Sequence, residues 1–127
     1  MKTQRIILSA ILFFGLFTTA FSQKGNPAPE QKTETIKVWG NCGMCKKKIE
    51  GAAYSKNVTS AKWNEDTKVL VINYRFGATN SDAVQQAIAA VGYDTEKFSA
   101  SDEAYNKLSS CCQYDRKKAT DTTSKKQ

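Results

Sequence analysis

Between Thr33 and Cys45 the apolar residues change period, and a cysteine pair sits at the change. Thr33 to Trp39 alternates, with Thr35, Lys37 and Trp39 on one side and Ile36 and Val38 on the other, the pattern of a half-buried strand. Gly40 and Asn41 interrupt it. From Cys45 the spacing turns helical, through Ile49, Ala52 and Ala53. Cys42 and Cys45 therefore fall on a loop at a helix N-terminus, where aligned backbone dipoles favour thiolate over thiol. Two thiols at this spacing close on one soft metal ion or on each other. Lys46, Lys47 and Lys48 follow at once. They raise the local potential, favour thiolate further and are suited to steering an acidic partner surface to the loop.

The rest of the pattern limits the fold. Ser55 to Asn57 turn the chain, and Val58 to Asn64 reads as a second strand on Val58, Ala61 and Trp63. Glu65-Asp66-Thr67 is a short turn, and Lys68 to Tyr74 a β-rich third strand in a hairpin with the second. Asn80 or Ser81 caps the next helix, whose stripe is Val84, Ala87, Ile88 and Val91 and whose stop is Gly92. Tyr93 to Phe98 is a fourth, weaker strand. The order strand–helix–strand–strand–helix–strand is the α+β ferredoxin-like βαββαβ plan, a four-stranded antiparallel sheet with two helices on one face. The third strand carries apolar residues on both faces, Leu70, Ile72 and Tyr74 against Val69 and Val71. A two-layer fold leaves one face wet, so a C-terminal extension is expected to cover part of it. That extension, residues 99–115, reads as a short helix started by Ser101 or Asp102, with Ala104, Tyr105 and Leu108 free to pack, followed by Cys111-Cys112-Gln113-Tyr114.

The ends bound the class. Lys2 and Arg5 precede an apolar run from Ile6 to Phe17, and Ala20-Phe21-Ser22 supplies small residues at a cleavage site. Residues 1–22 read as a signal peptide cut before Gln23, which directs the product to the periplasm or outside the cell. Residues 23–32, with Pro27 and Pro29, form a flexible lead-in, and residues 33–98 one domain, the chain beyond the cleavage site being long enough for one small domain with one core. The chain carries +7, and loss of Lys2 and Arg5 leaves +5. Much of that charge lies in residues 116–127, read as a disordered basic tail. Export and the lack of aromatic–basic interleaving argue against a nucleic-acid partner.

All four cysteines lie beyond the cleavage site, as Cys42, Cys45, Cys111 and Cys112. Disulfides that staple a fold join distant segments, whereas one of these pairs is separated by two residues and the other is adjacent. A bond between adjacent residues closes a strained ring. Cross-pairing of 42/45 with 111/112 stays open and requires that the two pairs meet. Soft thiolates select Cu(I), Zn(II), Hg(II) or Cd(II) over hard cations. Two thiolates suffice for near-linear Cu(I) or Hg(II) and leave the ion open to an incoming thiolate, as transfer requires. A structural zinc site wants four closed ligands. The chain has no histidine, which excludes His-based hydrolysis and mixed Cys/His zinc sites.

Topology and motif together resemble the heavy-metal-associated domain family, which includes copper chaperones, the N-terminal domains of copper-transporting ATPases and periplasmic mercury-binding proteins. The resemblance covers roughly residues 33–98. It rests on the Cys42-x-x-Cys45 loop, the Val58-Thr59-Ser60-Ala61 start of the second strand and the Val91-Gly92-Tyr93 turn. It implies an exported, non-enzymatic carrier of a thiophilic ion, Cu(I) before Hg(II), Zn(II) or Cd(II), with Cys42 and Cys45 as ligands. It also implies Tyr93 beside the metal loop. The family often has methionine two residues before the first cysteine, where this chain has Gly40. Its methionine is Met44, between the cysteines, either covering the ion or packing at the loop. Implied partners are a metal-transporting membrane protein or another acceptor domain and a reductant for the pair. The carrier is expected as a monomer, with a metal-bridged dimer as the other form. Cys111 and Cys112 are candidate further ligands, or else a separate surface pair. The rival class is a thiol–disulfide oxidoreductase on the same pair, but no proline follows Pro29 to supply the cis-proline of thioredoxin-like folds.

Overall fold

The computed structural model describes Gly25 and residues 27–117. The expected signal peptide and the tail from residue 118 onward lie outside the described residues. The element order is β1 (Gln31–Lys37), α1 (Gly43–Tyr54), β2 (Ser60–Asn64), β3 (Val69–Arg75), α2 (Ser81–Ala90) and α3 (Asp102–Asn106), then one 3₁₀ turn at Ser110–Cys112. The sheet is antiparallel in the order β1-β3-β2, with Ile36 opposite Leu70 and Leu70 opposite Trp63. Alternation sends Ile36, Ala61, Trp63, Leu70, Ile72 and Tyr74 to one face. Helices α1 and α2 pack there against the sheet and each other, burying Cys45, Ile49, Ala53, Val84 and Ile88. The sheet's other face is wet, and Val71 is exposed on it.

Several expectations need correction. β1 begins two residues early, because Gln31 and Lys32 pair with Arg75 and Tyr74 and so belong to the sheet rather than the lead-in. Among the described residues the sheet has three strands, not four. Residues 93–98 contribute one bridge, Val38 to Thr95, flanked by hydrogen bonds from Trp39 N to Asp94 O and from Glu96 N to Lys37 O. The ladder stops because the segment folds on itself. Thr95 N donates to Phe98 O at 2.7 Å, and Phe98 N donates back to the Thr95 hydroxyl at 3.0 Å. Lys97 N is taken by Oε1 of Gln85, a fully buried amide on α2 that also donates to Ser81 Oγ. Side chains that offer backbone amides such partners compete directly with a strand. The α+β fold thus follows the ferredoxin-like plan through α2 and reduces its fourth strand to a bridge.

The extension covers a different surface from the one expected. It leaves the outer sheet face bare and packs against the Gly92–Asp94 turn. Asn80 caps α2 by accepting from Ala83 N, and the helix ends at Gly92 with φ +104°. A methyl group on Gly92 would lie 2.7 Å from the carbonyl oxygen of Ala104 and 3.1 Å from Leu108. Gly92 is therefore needed twice, for its left-handed backbone and for the close approach of α3. Gly92→Ala is expected to cost about 2–3 kcal/mol, since strain and contact add. The check is the shift in chemical-denaturation midpoint, with Ala89→Gly as a control that leaves α3 seated.

Candidate metal centre

Cys42 is the residue just before α1, with extended backbone (φ −141°, ψ 177°), and its carbonyl accepts the first helical bond from Lys46 N at 3.0 Å. No side chain caps this helix end, so its free amides point at the sulfur. The backbone amides of Cys45 and Met44 and the Cys45 thiol bring the Cys42 thiol down to about 7. Cys45 lies one turn in, fully buried, and burial pushes its thiol up even though Asn41 N donates to the sulfur at 3.4 Å. The two sulfurs are 3.6 Å apart.

The C-terminal turn meets this loop. Asn41 Nδ2 donates to Gln113 O at 3.2 Å, and the Cys42 thiol lies 3.6 Å from Cys111 O. A 3₁₀ turn rotates successive side chains by about 120°, so the two adjacent cysteines differ in exposure although their sulfurs stay 4.0 Å apart. Cys112 turns inward and is fully buried, whereas Cys111 is exposed. The sulfurs of Cys42, Cys45 and Cys112 all lie within 4.8 Å of one another. A soft ion about 2.3 Å from each of three thiolates holds its sulfurs about 4 Å apart. The three side chains therefore need only small rotamer adjustments to share one ion. All four cysteines are free thiols.

Tyr93 is the inner wall. It is fully buried, its hydroxyl has no hydrogen-bond partner among the described residues, and Cys112 and Cys45 lie beside it. Burial, then those neighbours, push the phenol up, so it stays a neutral donor facing the sulfurs. An unpaired buried hydroxyl costs free energy unless something at the site accepts from it, and a thiolate is such an acceptor.

The strap that carries Cys112 is fixed on the far side. Tyr114 stacks on Tyr93 with ring centroids 5.8 Å apart, donates to Gly92 O at 3.0 Å and accepts from Asp94 N at 2.7 Å. The Tyr105 hydroxyl donates to Tyr114 O at 2.7 Å. Arg116 reaches the buried Asp94 carboxylate through Nε at 3.1 Å and Nη2 at 2.9 Å, and Asp102 through Nη1 at 2.6 Å. Arg116 and Lys117 are thus held on the domain, not in a disordered tail beginning at 116. Sequence reading missed Asp94, Arg116 and Gln85. An aspartate two residues past a helix stop and an arginine among tail lysines carry no signal of their mutual contact.

Lys46 does not serve the thiolates as expected. Its ammonium is held by Trp63 O at 2.5 Å and Glu50 at 2.6 Å. The thiolate preference of Cys42 comes from the Cys45 and Met44 amides and the Cys45 thiol, not from this lysine. Met44 is 54% exposed and packs on the loop with its Sδ 3.8 Å from Cys111 Sγ. At Gly40 a methyl group would already sit 3.1 Å from Ile49 and from the Trp63 ring. Trp63 fills the space beside the loop, and no methionine fits there.

No protein-family profile and no curated protein sequence matches the chain. Solved structures do. The water-soluble region of the P-type ATPase CopA from Bacillus subtilis is 30% identical with a TM-score of 0.50, over 54% of this chain and 46% of that one. A CopZ metallochaperone is 30% identical with a TM-score of 0.48, over 50% of this chain and 98% of its own. The N-terminal domain of the zinc(II) ATPase ZiaA, in its apo form, is 34% identical with a TM-score of 0.45, over 52% of this chain and 64% of its own. These likenesses cover about half of this chain.

Proposed function

Because this chain carries a domain of the heavy-metal-associated family, we propose that it binds a thiophilic metal ion at Cys42 and Cys45, with Cys112 as a third thiolate, and passes it to an acceptor. The observation that carries this reading is the convergence of three cysteine sulfurs within 4.8 Å on a helix N-terminus. An all-sulfur donor set in a chain without histidine suits Cu(I) best, with Hg(II), Zn(II) and Cd(II) as competitors. Cys42 supports transfer. It is half-buried, so an incoming thiolate reaches the ion from its side while Cys45 and Cys112 hold it from within. The acceptor is a metal-transporting membrane protein or another thiolate domain. A chain exported to an oxidising compartment also requires a reductant for the pair.

A second reading rests on the split thiols. A Cys42 thiol near 7 beside a raised Cys45 at 3.6 Å is the arrangement of an attacking and a resolving cysteine. Competitive anaerobic titration of the chain from residue 23 with Cu(I), Zn(II) and Hg(II) separates the two. The metal reading expects at least one ion bound far more tightly than by glutathione. Binding no tighter than glutathione overturns it and leaves the redox reading.

A further inference from the structure

Two sulfurs at the rim are not used by the three-thiolate centre. Cys111 is exposed on the outer side of the 3₁₀ turn, and Met44 is 54% exposed on the first turn of α1. They belong to segments 67 residues apart, yet their sulfurs meet at 3.8 Å. Cys111 Sγ also lies 4.0 Å from Cys112 Sγ, and Ser109 Oγ sits 3.6 Å from it on the solvent side. Resting on the proposed metal reading, we infer that Cys111 Sγ and Met44 Sδ, with Cys112 as a bridging thiolate, form a second position for a soft monovalent cation of the Cu(I) class at the mouth of the centre.

The geometry supports three-coordination. Three sulfurs about 2.3 Å from a shared ion stand about 4 Å apart, and both measured edges of this triangle, 3.8 and 4.0 Å, match that spacing. Chemistry narrows the ion. A thioether is a soft, neutral donor that suits Cu(I) and offers little to Zn(II) or hard cations. The charge balances as well. On binding, the Cys111 thiol releases its proton to water and the Met44 sulfur lends a lone pair. One negative charge thus appears with one positive charge, and no net charge is added beside the buried cluster. The position is open to solvent through Met44, whereas Cys45 and Cys112 are fully buried. An ion arriving from outside meets the rim sulfurs first and shares Cys112 with the inner position, so it moves inward by exchanging one ligand at a time.

The test uses the chain from residue 23 onward, reduced and anaerobic, with Cu(I) and with redox-inert Ag(I) as probes. Native mass spectrometry reads ions per monomer, and a competing chelator reads each affinity. Two ions per monomer are expected. Met44→Leu and Cys111→Ser should each reduce this to one, with the affinity of the remaining ion within about threefold of the parent's, a difference under about 0.7 kcal/mol. Both residues are exposed, so neither change removes core packing. One ion in the parent chain, or two ions in both variants, overturns the second position and leaves the proposed function standing. No tightly bound ion at all overturns both.

Discussion

The Cys42→Ser/Cys45→Ser double variant is expected to lose soft-metal affinity by about four to six orders of magnitude, while Cys112→Ser alone loses about two to three. The scale follows from four-ligand thiolate and imidazole sites, which yield about 10–16 kcal/mol of binding energy. That is about 2.5–4 kcal/mol per ligand, or roughly a hundred- to a thousandfold each. The two effects differ because Cys42 and Cys45 alone still make a two-coordinate site, whereas Cys112 alone holds nothing in place. Competitive Cu(I) titration reads the affinities, and far-ultraviolet circular dichroism of the metal-free variants reads the fold. A Cys112→Ser chain that binds Cu(I) as tightly as the parent would remove Cys112 from the centre.

The second large effect concerns the strap rather than the thiols. Arg116→Ala is expected to destabilise the chain by about 3 kcal/mol, the lower end of what breaking a buried ion pair costs, because Arg116 itself is 27% exposed whereas Asp94 is 1% exposed. Burial alone would push the Asp94 carboxyl up, but the Arg116 guanidinium and the amide of Ala100 outweigh it and hold the carboxyl below its usual range. The sign of the pH dependence follows. A carboxyl depressed in the folded state contributes stability above its unfolded value, near 4, and that contribution disappears as pH falls through the folded value. The parent should therefore lose this increment only below about pH 4, and the Arg116→Ala chain should lack it at neutral pH. Urea unfolding at pH 7 and pH 3 measures both. Equal stability of parent and variant at pH 7 would show that the clamp does not hold the strap. Because Tyr114 and Arg116 lie two and four residues after Cys112, the variant should also bind Cu(I) more weakly although every sulfur is present.

Local signals made much of the domain legible. The period change at Gly40, the helical spacing of Cys45, Ile49, Ala52 and Ala53, and the Asn80 and Gly92 ends of α2 are properties of short windows, and each is found where the pattern puts it. Tyr93 beside the thiols followed from the family resemblance, not from any pattern in the residues. The fourth strand failed because a local Thr95–Phe98 turn is joined by partners from distant elements. Residues 93–98 have acceptable strand composition, but Gln85 on a different element captures Lys97 N, and Asp94 turns inward to Arg116. Val91 was expected in the apolar stripe of α2, yet it is 42% exposed and the fully buried polar Gln85 takes a place in the core. The outer face of β3 was expected to need a cover. It stays wet because one exposed Val71 costs little, whereas the Gly92 turn offers α3 a surface that it matches closely.

The sequence by itself determined the candidate sulfurs and their first geometry. Two cysteines three positions apart at a helix start must face one another, because the helix N-terminus fixes their direction and supplies amides that favour thiolate. Only the tertiary structure decided that Cys112 joins them and Cys111 does not. That choice depends on which side of a single 3₁₀ turn faces α1, and it is fixed by a tyrosine stack and an aspartate–arginine clamp assembled from residues 92–116. Such contacts leave no period in the sequence, since they are set by where separate segments come to rest against one another.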